Sequence, residues 1–459
     1  MKTNYIKLFS LLLPVAVVAS SCNKLLEVTP KYIYTTDQIY ANDTMADSVV
    51  VGMYGRFASY QNDLSLNTGL SSDELTPGVN SFNPGYSFMY SYNLNPFSAQ
   101  TNDFWGNLYS IIGVSNAIIE GVGQSKGMTQ AGKDEAIGQA KFMRALNYYF
   151  LVNLYGDVPL VLTTNYPEER LKPRAAAAAV YTQVIQDLQD ASQLLASDYP
   201  GERVKANKWA ALALLSRVYL FTKEWTKAEE AASQVIAQSQ LFQLGHFDRA
   251  DGAEPMDIFT KNNPEQILQL WNSMGASIGI GIKGEFASFG VTEDPTGLLQ
   301  AFEENDKRKE NFVRFEETVN GYQINKYRSD GEAGSANNEY TSVLRLGEQY
   351  LNRAEARLEL GLPTAVEDLN TIRRRAGLSN LSDGLTKSQV SAAIVQERRV
   401  ELCFEWGDRW FTLRRLGLAD NVMKKAKPTT WKTFAQLYPL PTVELQNNRQ
   451  LTQNPGYNN

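Results

Sequence analysis

The sequence has little of the chemistry on which many catalytic and metal sites depend. Its 459 residues include one histidine and two cysteines, Cys22 and Cys403. The single histidine, His246, excludes a His-rich zinc site and the HExxH arrangement, and a serine triad would have to use that one imidazole. Cys403 lies in an apolar helical context and is predicted to be a small buried side chain. The scarcity of histidine and cysteine favours a ligand-binding function over a catalytic one.

The chain also lacks an excess of positive charge and a second long apolar run. Lys and Arg number 44 against 50 Asp and Glu, a formal net charge of -6 at pH 7. Phosphate backbones attract basic patches, so nucleic acid is not an expected partner. After the N-terminus no apolar stretch is long enough to cross a membrane. Aromatic residues are plentiful, with 23 Tyr, 20 Phe and 7 Trp, which favours ligand stacking or ordinary packing.

The N-terminus has the features of an export signal. Two lysines accompany an apolar run, Leu8–Val18, that is too short to span a bilayer and predicts a secretory signal. The following Ala19-Ser20-Ser21-Cys22 resembles the bacterial lipobox, whose cysteine becomes the acylated first residue of the mature chain. We therefore expect a signal peptide over 1–21, lipidation of Cys22, and a tether over 22–41 that holds a soluble body to a membrane. The alternative is a signal cleaved elsewhere, with an incidental cysteine.

The body contains a recurring pattern of paired helices. In the clearest pair, Lys205–Ser239, the second helix has apolar residues at the spacing that lines one helical face, namely Ala228, Ala231, Ala232, Val235 and Ile236. Thr226 and Glu229 fit a capping box at the start of that helix. The offsets of Leu215, Ser216 and Tyr219 from Ala228 are those of a tetratricopeptide helix pair. One pair cannot bury its own apolar face, so we expect others to stack against it.

The pattern predicts a mainly α protein with four such pairs and two irregular regions. The pairs are expected near 133–196, 205–240, 342–378 and 385–417. Residues 61–101 lack a helical period and are predicted to be a long aromatic-rich loop. Residues 245–338 combine short strand-like runs with Gly and Asn loops and one helix near 296–304, and the Pro- and Asn-rich C-terminal segment is expected to be an ordered loop.

Several short motifs, taken in order, resemble one protein family. They include A-K-F-x-R-A with L-Y-G-D-V-P-L and E-R-R-x-E-L with G-x-R-W, and they lie at Cys22–Pro30, Trp105–Asn116, Ala140–Ala145, Leu154–Leu160, Glu397–Leu402, Gly407–Trp410, Tyr438–Pro441 and Leu451–Tyr457. Over nearly the whole mature chain they resemble the SusD/RagB family of Bacteroidetes outer-membrane nutrient-binding lipoproteins, the partners of SusC-type TonB-dependent transporters.

The resemblance implies a SusD-like fold in a single domain, 42–459, anchored by lipid and exposed at the cell surface. It implies an oligosaccharide ligand, delivery to a SusC-like TonB-dependent β-barrel, no catalytic activity and no cofactor. Five charged residues within or beside the motifs are expected to form ion pairs and helix caps between stacked helices, and they are Arg144, Asp157, Arg398, Arg399 and Arg409.

Two stretches carry the mixture of aromatic and amide groups that sugar rings and hydroxyls require. In Tyr86–Asn95 four aromatic residues alternate, so they would share one side if the segment were extended, with Asn93 beside them. In the second stretch Trp271, Phe286 and Phe289 surround a Gly-rich loop. The predicted ligand-binding residues are Tyr86, Tyr90, Tyr92, Asn93, Trp271 and Phe286. The alternative for each aromatic residue is packing in the core.

Other functions stay open at this point. Gly279–Gly284 matches G-x-G-x-x-G but precedes no helix, which disfavours a dinucleotide site. The acidic loop Ser329–Glu339 could hold calcium but lacks the alternation of an EF-hand. Peptide capture through strand edges, a membrane-anchored scaffold without a small ligand, and a glycosidase with a carboxylate pair are the remaining alternatives.

Overall fold

The computed structural model describes residues 35–77, 84–247, 258–271, 289–318, 320–327 and 339–457. These residues are mainly helical. The helices before the central strands are α1 (Thr36–Ile39), α2 (Asp43–Ala58), α3 (Gln61–Ser71), α4 (Pro84–Tyr90), α5 (Ala99–Gln124), α6 (Gln130–Tyr155), α7 (Tyr166–Glu169), α8 (Ala177–Leu194), α9 (Lys208–Thr222) and α10 (Trp225–Ile236). The later helices are α11 (Lys307–Phe312), α12 (Leu346–Glu359), α13 (Ala365–Arg375), α14 (Lys387–Glu401), α15 (Asp408–Arg415), α16 (Ala419–Ala426) and α17 (Thr442–Asn447).

Short antiparallel strands form three small sheets in the described parts of the chain. The strands are β1 (Leu75–Pro77), β2 (Val158–Pro159), β3 (Arg174–Ala175), β4 (Gln266–Leu270), β5 (Phe289–Val291), β6 (Val313–Glu316), β7 (Gly321–Ile324) and β8 (Thr341–Arg345). Four of them make a sheet of order β1-β5-β7-β6, while β2 pairs with β3 and β4 pairs with β8. The strands predicted from the sequence in the central region are confirmed at β4, β6 and β7.

The longer helices pack against one another. Helix α6 packs against α8, α9 against α10, α12 against α13, and α14 against both α12 and α15. Their buried side chains join one large core, and a second cluster lies among α12, α13 and α14. The mainly helical fold class is therefore confirmed.

The ends of these helices follow from local sequence, with one exception. Helix α6 ends where expected, at Gly156, whose φ of +75° favours glycine. The predicted capping box at Thr226 is wrong, because α10 begins at Trp225, two residues before the start that a cap at Thr226 requires, and its N-cap, Glu224, makes no side-chain cap hydrogen bond. The Glu229 carboxylate instead accepts a hydrogen bond from Arg357 on α12 (Nε–Oε1 2.9 Å), so a tertiary contact replaces the local one.

Three predictions about irregular segments are also wrong. Residues 61–101 contain helices α3 and α4, and α3 shows no amphipathic period because it is buried on nearly every side, including its polar Asn67, Thr68 and Ser71. The helix expected near 296–304 is only a 3-10 turn at Leu299–Ala301. The C-terminal segment is not only loop, since α17 lies within it.

The structural interpretation of the motif charges is confirmed. Arg398 pairs with Asp408 across the α14–α15 turn, and Arg399 and Arg409 both contact the buried carboxylate of Asp73, with Nη2–Oδ2 distances of 2.8 and 2.7 Å. Asp157 accepts a hydrogen bond from the backbone N–H of Ala177 at the start of α8. These charges hold the scaffold together. Cys403 is fully buried, as expected.

Candidate functional site

Four of the predicted ligand residues lie on one short element, helix α4 and the turn after it. The expectation that Tyr86–Asn95 is extended is wrong, because α4 begins at Pro84 and Pro is favourable in the first turn of a helix. The aromatic residues therefore do not alternate across a strand. Tyr86 and Tyr90 are four residues apart on adjacent turns of the same helical side, and Tyr92 takes a left-handed φ of 53° just beyond it.

Tyr86 lines a cavity between helices α3, α4 and α5. The cavity has a volume of about 210 Å³, and its other lining residues are Tyr60, Asp63, Asn67, Asp103, Phe104 and Asn107. It combines three aromatic rings with two carboxylates and two amides. A cavity of roughly 150 Å³ is enough to hold benzene, so the volume of this one is of the order that holds one small ring.

The floor and the rim of the cavity differ in exposure. Tyr60, Asn67 and Phe104 are buried, at 4%, 2% and 6% relative exposure, whereas Asp103 is exposed and Tyr86 is half-buried. The Tyr60 hydroxyl donates a hydrogen bond to Asn147 Oδ1 on α6 (2.7 Å), which fixes that ring. A ligand ring could therefore enter past Asp103 and rest against fixed aromatic walls.

One polar atom of Asn67, at the floor of the cavity, has no hydrogen-bond donor among the described residues. Asn67 Nδ2 donates to the carbonyl oxygen of Asp63 (2.7 Å), one turn earlier in α3. Asn67 Oδ1 is buried and has no hydrogen-bond donor among the residues that the structure describes. A buried acceptor without a donor costs about 1–3 kcal/mol.

Tyr90 shares helix α4 with Tyr86 but faces a different partner. Its ring lies over the ammonium of Lys427, with Nζ 4.1 Å from the ring centroid, and Lys427 donates to the carbonyl oxygen of Leu70. Burial lowers the pKa of Lys427 to about 7, with Asp73 and Asp294 opposing that shift. Burial and the charge of Asp294 raise the pKa of Tyr90. Tyr90 is half-buried.

Tyr92 is corrected from a stacking platform to a core residue. Only 1% of it is exposed, its hydroxyl donates to the carbonyl oxygen of Ser71, and its ring packs edge-on against Trp431 at 4.8 Å between centroids. Burial and the neighbouring Tyr438 raise the pKa of Tyr92. The ring has no free face for a sugar. Tyr90 remains a candidate for stacking against a ligand, whereas Tyr92 does not.

The remaining predicted residues are spread over the structure. Asn93 is exposed beside α4, and its Oδ1 accepts a hydrogen bond from Lys432 (3.0 Å). Trp271 is partly buried at the end of β4, which belongs to a different sheet from β1 beside α4. Phe286, the Gly-rich loop, the acidic loop at 329–338 and Cys22 lie outside the described residues. The structure thus groups Tyr86, Tyr90 and Asn93.

Sequence reasoning missed the polar half of the cavity. Asp63, Asn67, Asp103 and Asn107 come from two helices and meet only through packing. Polar residues on a helix ordinarily form its solvated face, and nothing in the sequence distinguishes these four from that case. Their i, i+4 spacing within each helix, 63 with 67 and 103 with 107, is the one signal that places each pair on a common side.

The described ranges contain no group of three or more His, Cys, Asp or Glu side chains that could hold a metal ion. They also contain no helix that is both long and apolar enough to cross a membrane.

Comparison with known proteins assigns the fold and the family. Residues 24–220 match a family profile described as starch-binding associating with outer membrane, and residues 300–457 match the profile of the SusD family. The chain is 27% identical to SusD-like protein P2 of Formosa agariphila, over 94% of this chain and 96% of that one. It is 25% identical to starch-binding protein SusD of Bacteroides thetaiotaomicron, over 73% of this chain and 75% of that one.

Solved structures agree with these matches. A laminarin-binding SusD-like protein superposes with a TM-score of 0.73 at 25% identity, covering 91% of this chain and all (100%) of the other. A SusD-like protein of Bacteroides fragilis superposes with a TM-score of 0.76 at 22% identity, covering 92% and 98% of the two chains, and shows the shared fold.

The described residues form paired helices with a small polar–aromatic cavity between α3, α4 and α5. The two profile matches, which together span more than half of the chain, make the assignment specific: the chain belongs to the SusD family.

Proposed function

We propose that this protein binds an oligosaccharide at the cell surface and passes it to a SusC-like TonB-dependent transporter in the outer membrane. The observation that carries the proposal is the cavity under Tyr86, because it joins aromatic walls to carboxylate and amide groups in a space of the order that holds one small ring. The profile for starch binding and the laminarin-binding neighbour support a glycan as the ligand.

In this proposal one sugar unit fills the cavity and the rest of the chain extends over the neighbouring surface. The apolar C–H face of the ring packs against Tyr86, while Asp63, Asp103 and Asn107 hydrogen-bond its hydroxyls. Tyr90 and Asn93 lie on the same element and are proposed to contact the next units. Trp271 and Phe286 remain proposed contacts from the second stretch.

The protein is proposed to bind without cleaving. The profile described as starch-binding and the laminarin-binding neighbour support a binding role. Delivery requires a membrane tether, which acylation of Cys22 would supply. The paired helices, away from the cavity, offer an extended surface on which a β-barrel partner could dock.

Isothermal titration against a panel of glycans and a peptide mixture tests the proposal. We expect saturable binding to at least one oligosaccharide, including laminarin or starch fragments in the panel, and none to the peptides. Peptide binding without any glycan signal would overturn the choice of ligand, and new reducing ends after long incubation would overturn the non-catalytic role. Loss of membrane association in a Cys22→Ser variant would support the tether.

A further inference from the structure

Lys427 connects α16 to two of the helices that line the cavity under Tyr86. It is the C-cap of α16, and its backbone N–H donates to the carbonyl oxygen of Met423 (2.8 Å), which fixes where the side chain starts. Its ammonium lies over two rings at the end of α4, with Nζ 4.1 Å from the centroid of Tyr90 and 5.0 Å from that of Tyr92. It also donates to the carbonyl oxygen of Leu70 in the last turn of α3. One ammonium group therefore holds α3 and α4 to α16.

The cation of Lys427 has no ion-pair partner among the described residues. Asp73 and Asp294 are the carboxylates whose charges favour the protonated amine, and Asp73 is already paired with Arg399 and Arg409. Lys427 is only 4% exposed, so water contributes little to the stabilisation of its charge. The attraction of a cation to an aromatic ring is stronger when the cation is shielded from water, and it requires the protonated amine.

Other contacts of the segment after α16 reach the same end of α4. Trp431 packs edge-on against Tyr92, with 4.8 Å between the ring centroids, and Lys432 Nζ donates to Asn93 Oδ1 (3.0 Å). Helix α4 has only seven residues, and helices this short depend on tertiary contacts for their stability. The position of its ligand-side rings therefore depends on what packs against it.

We propose that Lys427 is a positioning residue for the proposed ligand site, and that its ammonium holds α4 and Tyr90 in the arrangement that binds the oligosaccharide. This inference rests on the proposed function and adds the residue that orders its ligand-side helix. Burial lowers the pKa of Lys427 to about 7, so the ammonium is present at acidic pH and is lost as the pH rises through that value. The neutral amine still has a donor for Leu70 but loses its attraction to the rings. Affinity should therefore fall as the pH rises.

A pH series of calorimetric titrations tests this role without altering Lys427. The probe is the tightest-binding uncharged oligosaccharide of the glycan panel, laminarin and starch fragments included, at pH 6 and pH 8.5. Imidazoles also titrate in this range, so the protein carries His246→Gln, which removes the one imidazole of the chain. We expect affinity to be roughly fivefold to thirtyfold weaker at pH 8.5, the larger figure corresponding to complete loss of a shielded cation–π contact.

Matched variants in the same background assign the pH dependence to Lys427. Lys427→Met keeps an unbranched side chain without charge and should bind as weakly at pH 6 as the parent protein does at pH 8.5. Lys427→Arg stays charged at both pH values and should retain its affinity at pH 8.5. Lys425→Met removes an exposed ammonium from the same end of α16 and should behave like the parent protein. Thermal unfolding confirms that each variant is folded at both pH values.

The ring of Tyr90 gives a readout that needs no ligand. In protein with isotopically labelled tyrosine, the NMR signals of Tyr90 are assigned with Tyr90→Phe. They should shift between pH 6 and pH 8.5 in the parent protein and stay unchanged in Lys427→Met.

The outcomes separate this inference from the proposed function. An affinity that is equal at both pH values, or that falls equally in Lys427→Met, would overturn the inference and keep glycan binding. Tyr90 signals that follow pH while affinity does not change would also overturn it, because Lys427 would then only pack against the ring. Absence of binding by every glycan of the panel at both pH values would overturn the proposed function together with the inference.

Discussion

The guanidinium of Arg144 holds both carboxylate oxygens of Asp187, with Nε–Oδ2 at 2.8 Å and Nη2–Oδ1 at 2.7 Å. The two residues are buried between α6 and α8, and Arg144 Nη1 also donates to Asn116 Oδ1 on α5 at 2.8 Å. Three helices are therefore fixed to one another through one planar side chain. A bidentate Arg–carboxylate pair has the geometry in which a buried charge is best compensated.

Removing the cation from this pair should strongly destabilise the protein. Arg144→Met leaves the Asp187 carboxylate buried without its charge partner, which costs about 3–5 kcal/mol. Urea unfolding measures the loss. The double variant Arg144→Met with Asp187→Leu should recover much of it, because both buried charges are then gone. A single variant that loses less than about 1 kcal/mol would show that the pair does not hold the helices together.

Glu74 should make stability depend on pH in a predictable direction. Burial raises the pKa of Glu74 to about 8, aided by Asp73 and opposed by Arg409, Arg399 and Lys326. The folded protein therefore retains a proton that the unfolded chain releases above about pH 4.5. The contribution of Glu74 to the free energy of unfolding is fully present below about pH 4.5 and is lost as the pH rises through about 8.

The Glu74→Gln variant isolates this effect. As the pH rises from 5 to 8, the unfolding free energy of the variant should increase relative to that of the parent protein by up to about 1.4 kcal/mol per pH unit. Glu304→Gln, at an exposed carboxyl, serves as the control and should show no such gain. A constant difference between Glu74→Gln and the parent across this range would contradict a buried, protonated Glu74.

Tyr92 should matter for stability and not for binding. Tyr92→Phe removes the hydroxyl that donates to the carbonyl oxygen of Ser71 and leaves that carbonyl without this donor. The expected loss of unfolding free energy is about 1–2 kcal/mol, with oligosaccharide affinity unchanged. If Tyr92→Phe instead weakened binding without changing the melting temperature, the assignment of this ring to the core would be wrong.

The helical scaffold could be predicted from the sequence because each helix is specified mainly by the residues within it. Apolar residues recur at helical spacing along α10, and glycine ends α6, so pairing follows from each segment alone. Helix α3 escaped prediction because Asn67, Thr68 and Ser71 are buried with its leucines, which erases the amphipathic pattern. The cavity could not be predicted from the sequence, for a different reason. Asp63 and Asp103 are 40 positions apart, and only the packing of α3 on α5 brings them to one wall.

The central claim is that the cavity under Tyr86 binds the oligosaccharide, and calorimetric titration of Tyr86→Ala tests it most directly. The matched control is Tyr166→Ala, which removes a ring that is 70% exposed on α7 and does not line the cavity. With the best ligand of the glycan panel, Tyr86→Ala should lose about 1–3 kcal/mol of binding free energy, by analogy with base–aromatic stacking. Tyr166→Ala should bind like the parent protein. Equal affinities for all three proteins would contradict the claim.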